Sequence, residues 1–391
     1  MSGHAFASIS LAGFLTAVMF AGPAPAETGV TEGTILFGQS TALDGPASAL
    51  GLGMRDGIAA AFKEINDAGG IKGRLLELKS YDDGYEPDRA IVATKTLIET
   101  DRVFALIGAV GTPTSKAAQP IATGAGVPFI GPYTGAEFLR DPSLRNVVNL
   151  RASYFQETET WVEHLTQDLG VTRLAILYQD DSFGRAGYDG VSRALAKRNM
   201  TLAAEGAFQR NTTAVKSALL SIRAANPEAI VTVGPYKPIA EFIKLARGLG
   251  MTQPIVNISF VGAEALAREL GPDGDGVIVS QVVPLPWDTS IPIVAQYQKA
   301  LKAHDPEAKP GFISLEGYLV GRMTIMALHR IDGEVTREAL LQSIESNGPF
   351  DLQGLMATFG DGDNQGLDEV FLTIIQRDGS FKQVDRLGPA S

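Results

Sequence analysis

The sequence predicts an α/β protein of two doubly wound parallel-sheet lobes joined by a hinge of several chain crossings. Three observations carry that expectation. Strand-like and helix-like pieces alternate from Thr34 onward, they fall into two runs separated by a break at Asp141-Pro142-Ser143, and no low-complexity linker joins the runs. Such alternation implies right-handed βαβ crossovers and a parallel sheet covered on both faces. At 391 residues the chain also exceeds what one hydrophobic core usually supports.

The first 26 residues contain no Asp, Glu, Lys or Arg, and an apolar stretch from Ala5 to Gly22 precedes Ala24-Pro25-Ala26. That is the pattern of a secretory signal peptide (residues 1–26) cleaved after Ala26. An uncleaved anchor is the competing reading, opposed by the short apolar run and its breaks at Gly13, Gly22 and Pro23. The sequence has no Cys, which excludes a disulfide framework and a lipidated N-terminal Cys, so the expectation is a periplasmic protein without a lipid anchor. A net charge of −11 argues against a nucleic-acid partner, and 45% hydrophobic with 20% charged residues argues against disorder.

In the first run, Ile35 to Gly38 reads as a strand, and Leu52 to Ala68 as a helix whose apolar face carries Ile58, Phe62 and Ile65 and which ends at Gly69-Gly70. Leu75 to Tyr81 is the next strand, Asp82-Asp83-Gly84 a turn, and Ala90 to Glu99 a helix. The stretch Val103 to Arg140 organises the rest. Val103 to Gly108 has the composition of a buried parallel strand, and Thr112 with Pro113 would then cap and start a helix. The pattern repeats with a strand at Val127 to Ile130 and the T-x-x-E spacing of Thr134 to Glu137, which predicts a capping box. Two polar helix starts on adjacent strand ends would place backbone N–H groups and hydroxyls where open α/β sheets bind small ligands.

The second run reads as helix Phe155–Leu169, strand Leu174–Tyr178, helix Gly187–Arg198, strand Ala229–Val233, helix Ile239–Leu249, strand Pro254–Asn257 and strand Val277–Val282. The helical stretches Ile293–Ala303 and Ser314–Arg330 have no strands between them and need a sheet to cover. The chain is therefore expected to return to the first lobe near Pro284-Leu285-Pro286, and to cross again near Asp351 to end on strand Val370–Gln376. The expected partition is residues 27–147 plus 284–350 for lobe 1, and residues 148–283 plus 351–391 for lobe 2.

Residues 33 to about 380 resemble the periplasmic branched-chain amino-acid binding proteins, the type I solute-binding family that feeds ABC transporters and includes amide- and urea-binding relatives. The resemblance is carried by GGIKGRLLEL at Gly69 to Leu78, Tyr81-Asp82-Asp83, the turns Gly108–Thr114 and Gly131–Gly135, LAILYQDDSFGRAGYDG at Leu174 to Gly190, Gly234 to Pro238, and SLEGY at Ser314 to Tyr318. It implies a small-molecule ligand, an amino acid or related carboxylate, held between the lobes. It also implies a permease partner in the inner membrane, a monomer, no cofactor and no catalysis.

By the same resemblance, Thr112 meets the ligand carboxylate with its hydroxyl and N–H, and Gly111 before it belongs to the site. Tyr133, Thr134 and Gly135 form the second turn, Phe183 and Tyr236 close from the other lobe, and Leu50 and Phe260 complete the walls. The acidic residue that pairs with the ammonium in amino-acid binders falls at Ser259, which has no carboxylate. Either Asp180, Asp181 or Glu316 takes that role, or the ligand is not an α-amino acid; an amide- or urea-like neutral solute is the alternative, and a ligand sensor of the same fold is the alternative to transport.

Catalysis finds little material. His164, His304 and His329 are far apart in sequence, and there is no G-x-S-x-G or Walker motif. Gly51-Leu52-Gly53 has Asp56 where a dinucleotide fingerprint needs its third glycine, which leaves a Rossmann oxidoreductase a poor rival. The Asp82-Asp83, Asp180-Asp181 and Asp361-Gly362-Asp363 clusters lack the spacing of a calcium loop and read as turns.

Overall fold

The computed structural model describes residues 27–388 apart from Asn347 and Asp361, together with Met1 and Gly3. The signal-peptide segment thus lies outside the described residues, save for those two positions.

The first run comprises β1 (Thr34–Thr41), α1 (Ser48–Asp67), β2 (Leu75–Asp82), α2 (Pro87–Lys95), β3 (Ala105–Ile107), α3 (Thr112–Gly124), β4 (Phe129–Ile130) and β5 (Val147–Val148). Its strands pair in parallel in the order β2-β1-β3-β4-β5. β3 is wholly buried, as expected of a strand covered on both faces. The second run comprises α4 (Tyr154–Gln167), β6 (Leu174–Gln179), α5 (Ser182–Ala196), β7 (Ala204–Phe208), α6 (Lys216–Ala224), β8 (Ala229–Val233), α7 (Tyr236–Gly248), β9 (Ile255–Asn257), α8 (Ala263–Leu270) and β10 (Ile278–Gln281). Then come α9 (Pro292–His304), α10 (Phe312–His329), α11 (Arg337–Ser346), the hairpin β11 (Phe350–Asp351) and β12 (Met356–Ala357), and finally β13 (Phe371–Ile375) and β14 (Phe381–Val384).

The second sheet runs β14-β13-β10-β9-β8-β6-β7. It departs from the all-parallel expectation at one edge, where β13 is antiparallel to both β10 and β14. The tight turn closed by Gln376 N–H on Ser380 O and Gly379 N–H on Gln376 O folds β14 back on β13 and accounts for that pair. The sequence reading also passed over β7, α6, α8 and α11. β7 alternates exposed and buried residues at a sheet edge, which leaves only a weak apolar signal in AEGAF.

After β5 the chain enters the second run through Asn149–Ser153, and after β10 it comes back to place α9 and α10 against α1. It passes over once more beyond β12, where Gln365 bridges to Asn149 and Leu367 N–H donates to Leu150 O at 2.8 Å. The α1–α10 crossing is close because small residues line it. A Cβ placed on Gly57 would lie 2.0 Å from Ser314 O, and one on Gly317 would lie 2.4 Å from Met54 O. Both neighbours are main chain, which cannot rotate aside, so a methyl group here must push the helices apart.

Gly57→Ala should therefore lower the melting temperature by several degrees, since overpacking typically costs about 1–3 kcal/mol. The control is Gly124→Ala near the end of α3, where a Cβ meets nothing within 4 Å, and it should leave the melting temperature unchanged or slightly raised. Differential scanning fluorimetry of both variants checks the comparison, and equal stability of the two would contradict the packing account.

Candidate functional site

The carboxyl ends of β1, β3 and β4 in the first sheet face those of β6, β8 and β9 in the second. Each sheet reverses its strand order between β1 and β3, or between β6 and β8, and such switch points leave a crevice for ligands.

Gly111, with φ 104°, is the N-cap of α3, and a side chain there would strike the Tyr85 ring at 2.3 Å. This corrects the expected cap: Thr112 is the first helical residue, and no side chain caps α3. Its hydroxyl pairs instead with that of Thr134 at 2.7 Å. The capping box expected at Thr134–Glu137 does not form either. Only a 3₁₀ turn, Glu137–Arg140, follows, with Ala136 as its N-cap. Thr134 Oγ1 is turned towards Tyr154 Oη at 3.3 Å, while Gly135 O accepts the Tyr154 N–H at 2.7 Å. Three hydroxyls thus converge, from Thr112, Thr134 and Tyr154, all buried.

Aromatic rings surround them. Phe260 lies 4.6 Å from Phe183, 5.2 Å from Tyr133 and 5.9 Å from Tyr85, and Tyr154 lies 5.6 Å from Phe183. Tyr133 Oη donates to Ser259 O at 3.2 Å. Leu50 and Tyr236 meet at Gly262, where a Cβ would lie 2.7 Å from Leu50 Cδ2 and 3.6 Å from Tyr236 Cδ1. All ten expected residues therefore lie around the facing strand ends. Tyr85, Arg151, Tyr154 and Glu157 were not foreseen.

Arg151 is 1% exposed and follows β5. Its guanidinium lies 4.7 Å from the centre of the Tyr133 ring, 3.7 Å from Glu157 Oε1 and, through Nε, 3.6 Å from Glu316 Oε1. Nη2 donates to Ser259 Oγ. Glu157 is itself held by Ser259 N–H at 2.9 Å, Ser259 Oγ at 2.8 Å and Ser280 Oγ at 2.5 Å. Burial alone would lower the Arg151 pKa, but Glu316 and Glu157 outweigh it and the group stands raised, hence charged. Burial pushes Glu316 up to about 7, against the pull of Arg151. Glu316 is one of the three carboxylates considered from the sequence, and it is the one acidic residue of α10. The other two carboxylates considered are engaged elsewhere. Asp181 caps α5 through Phe183 N–H at 2.9 Å and also accepts from Gln179 and Arg210, while Asp180 is exposed beside Arg185.

Further bonds join the two lobes across the crevice. Arg210 reaches Glu86 at 2.9 Å, Asn211 Nδ2 donates to Glu86 at 2.6 Å, and Gln179 Nε2 donates to Tyr85 Oη at 3.2 Å. Tyr85 is carried into place by Asp83, which accepts from Ser40 Oγ at 2.7 Å and from the Tyr85 N–H at 2.9 Å. Among the described residues no cluster of His, Cys, Asp and Glu suits a metal ion, and no helix is long and apolar enough to cross a membrane.

Two lobes with facing strand ends, aromatic walls and buried hydroxyls define a solute-binding protein of the type I fold. The periplasmic binding protein family model matches residues 34–380, and the chain belongs to that family. It is 22% identical over 330 residues to Leu/Ile/Val-binding protein homolog 7 of Brucella abortus, covering 81% of each chain. A possible leucine/isoleucine/valine-binding protein from Rhodopirellula baltica superposes with a TM-score of 0.86 at 36% identity, over 93% of this chain and 98% of that one. A fatty acid ABC transporter substrate-binding protein from Thermomonospora curvata shares the fold, with a TM-score of 0.82 at 21% identity, over 93% and 94%.

The raised Glu316 has a stability consequence. In the unfolded chain the group titrates at its ordinary 4.5 and in the folded protein at about 7, so the folded state binds the extra proton between these values. Its contribution to stability is therefore present at low pH and is lost as pH rises towards about 7. Glu316→Gln should melt close to the wild type at pH 5 and above it at pH 7.5, by on the order of 2 kcal/mol. Urea denaturation at the two pH values measures the difference, and parallel pH profiles would contradict it.

Proposed function

We propose that the protein captures a small carboxylate-bearing metabolite between its two lobes and delivers it to an ABC permease in the inner membrane, acting as a periplasmic monomer. The lobes are taken as residues 27–147 with 284–350, and 148–283 with 351–391, swinging about the three crossings. Family membership puts branched-chain and other apolar amino acids first among such metabolites.

The observation that supports this reading best is the buried hydroxyl cluster of Thr112, Thr134 and Tyr154 at the start of α3. Helix N-termini favour anions, and hydroxyl donors add directed hydrogen bonds to a carboxylate. Tyr133, Phe183, Phe260, Leu50 and Tyr236 supply apolar walls around that anchor, as small-molecule sites require. Contacts from both lobes are available to a ligand only when the lobes meet, so binding and closure are one equilibrium.

Ligand at ~100 times its dissociation constant stabilises the folded state by about 2.7 kcal/mol, a thermal shift of a few degrees. Leucine, 4-methylpentanoate and 4-methylpentanamide form a matched series for that assay. A carboxylate compound should give the shift, the amide should not, and Thr112→Val should abolish it. An amide that binds as tightly as the acids would defeat the carboxylate reading and favour a neutral solute.

A further inference from the structure

The hydrogen-bonding inventory of the crevice is unbalanced. Arg151 Nε and Nη1 are buried and make no hydrogen bond among the described residues, although the residue is almost inaccessible. A buried guanidinium normally has its N–H groups satisfied, and leaving donors unmade forfeits their solvation. Ser259 cannot serve them further, since its hydroxyl already donates to Glu157 and accepts from Arg151 Nη2. Glu157 already accepts from Ser259 N–H, Ser259 Oγ and Ser280 Oγ, and its Oε1 lies 3.7 Å from Arg151 Nη2 rather than on Nε or Nη1. At Arg151 the surplus is of donors, and a ligand group seated there must bring acceptors, while the unmade acceptor Gln179 Oε1 lies at the Tyr85 side of the crevice.

An ammonium group fits poorly in the same place. Beside Glu157, Glu316 is the carboxyl paired with Arg151, its Oε1 already 3.6 Å from Arg151 Nε. A second cation drawn to Glu316 would stand within a few ångströms of the guanidinium with little water between them, where like charges repel strongly.

We infer that Arg151 receives the ligand's carboxylate, and that the ligand class is a carboxylic acid with an aliphatic or aromatic body and no ammonium on the carbon next to the carboxyl group. The inference rests on the reading above that the ligand bears a carboxylate, and sets aside its ranking of amino acids. It adds Arg151 to the Tyr154 hydroxyl, which lies close to it, as the group that meets that carboxylate. Arg151 makes the contact through Nε and Nη1, and the rings of Tyr133, Phe260 and Phe183 pack on the body of the acid. The charged and titratable groups facing Glu316 are Arg151, Arg140 and Glu157, with Tyr133 beside them. An incoming carboxylate makes the deprotonated Glu316 less favourable, so the protein gains part of a proton from solvent as the acid binds. A zwitterion that set its ammonium on Glu316 would do the opposite and release one.

Isothermal titration of residues 27–391 at pH 7.5, in phosphate and in Tris, tests this with two matched series. One is 4-methylpentanoate, 4-methyl-2-oxopentanoate and leucine, and the other is phenylacetate, phenylpyruvate and phenylalanine. In whichever series binds, an acid lacking the ammonium should bind at least ten-fold tighter than the amino acid, with net proton uptake from the buffer comparison. The charge-balanced double variant Arg151→Met/Glu316→Gln should weaken the acid at least a hundred-fold. The wild-type comparison stands by itself if that variant does not fold.

Leucine or phenylalanine binding as tightly as its acid, proton release, or a folded double variant with unchanged affinity would each overturn the inference while leaving the carboxylate reading intact. Binding of 4-methylpentanamide in place of every acid, or of none of the compounds, would overturn both.

Discussion

A guanidinium held out of water at the meeting point of the two lobes is the constraint around which this structure is arranged. Desolvating such an ion is expensive, and only close counter-charges and hydrogen bonds offset the cost. Arg151 obtains them from three directions: Ser259 beyond β9, Glu157 on α4 and Glu316 on α10. In the partition proposed above, Ser259 and Glu157 sit on the lobe of Arg151 itself and Glu316 on the other, so it is the Arg151–Glu316 contact that depends on the lobes meeting. Removal of Glu157 should cost about 3–5 kcal/mol, because it leaves the buried Arg151 charge without its hydrogen-bonded counter-charge. Glu316 is the adjustable member, since burial holds it at about 7 while Glu157 is fixed by three donors.

The polar anchors and the apolar walls come from the same architecture. Parallel strands end together, so the residues just past β3, β4, β6, β8 and β9 are neighbours in space although they are scattered in sequence. Glycine at 111 lets the chain turn into α3 against the Tyr85 ring, and this close approach leaves the Thr112 hydroxyl facing Thr134. The lobes then touch through Arg210, Asn211 and Gln179, which bond to Glu86 and Tyr85 of the first run.

Much of the fold was legible because buried strands and amphipathic helices leave periodic signals. β8 spans the Ala229–Val233 segment read from the sequence, and α1 and α10 differ from their expected ranges by a few residues. What escaped was of another kind. The edge strand β7 is half exposed, and the antiparallel pairing of β13 depends on a turn partner beyond it. At the site, Thr112 and Thr134 were read from their spacing both as helix caps and as hydroxyls facing a ligand cleft, and the capping part does not form. Their true partner, Tyr154, stands 20 residues beyond Thr134 on another element. Arg151 gave no signal at all, since an arginine after a two-residue strand reads as a surface residue until the tertiary fold encloses it. The Ser259 position, where a missing carboxylate looked like an unexplained gap, proves to be filled by the Arg151–Glu157 pair.

The central claim is that closure of the lobes and capture of the ligand are one equilibrium. The sequence contains no Cys, so a spin-label pair can be introduced cleanly at Val92 on α2 and Leu220 on α6, both exposed helix positions on different lobes. Pulsed dipolar spectroscopy of that pair should give a broad distance distribution in the free protein. It should shift and narrow on saturation with whichever acid stabilises the protein most. A single distribution that does not move at saturating ligand would contradict the account.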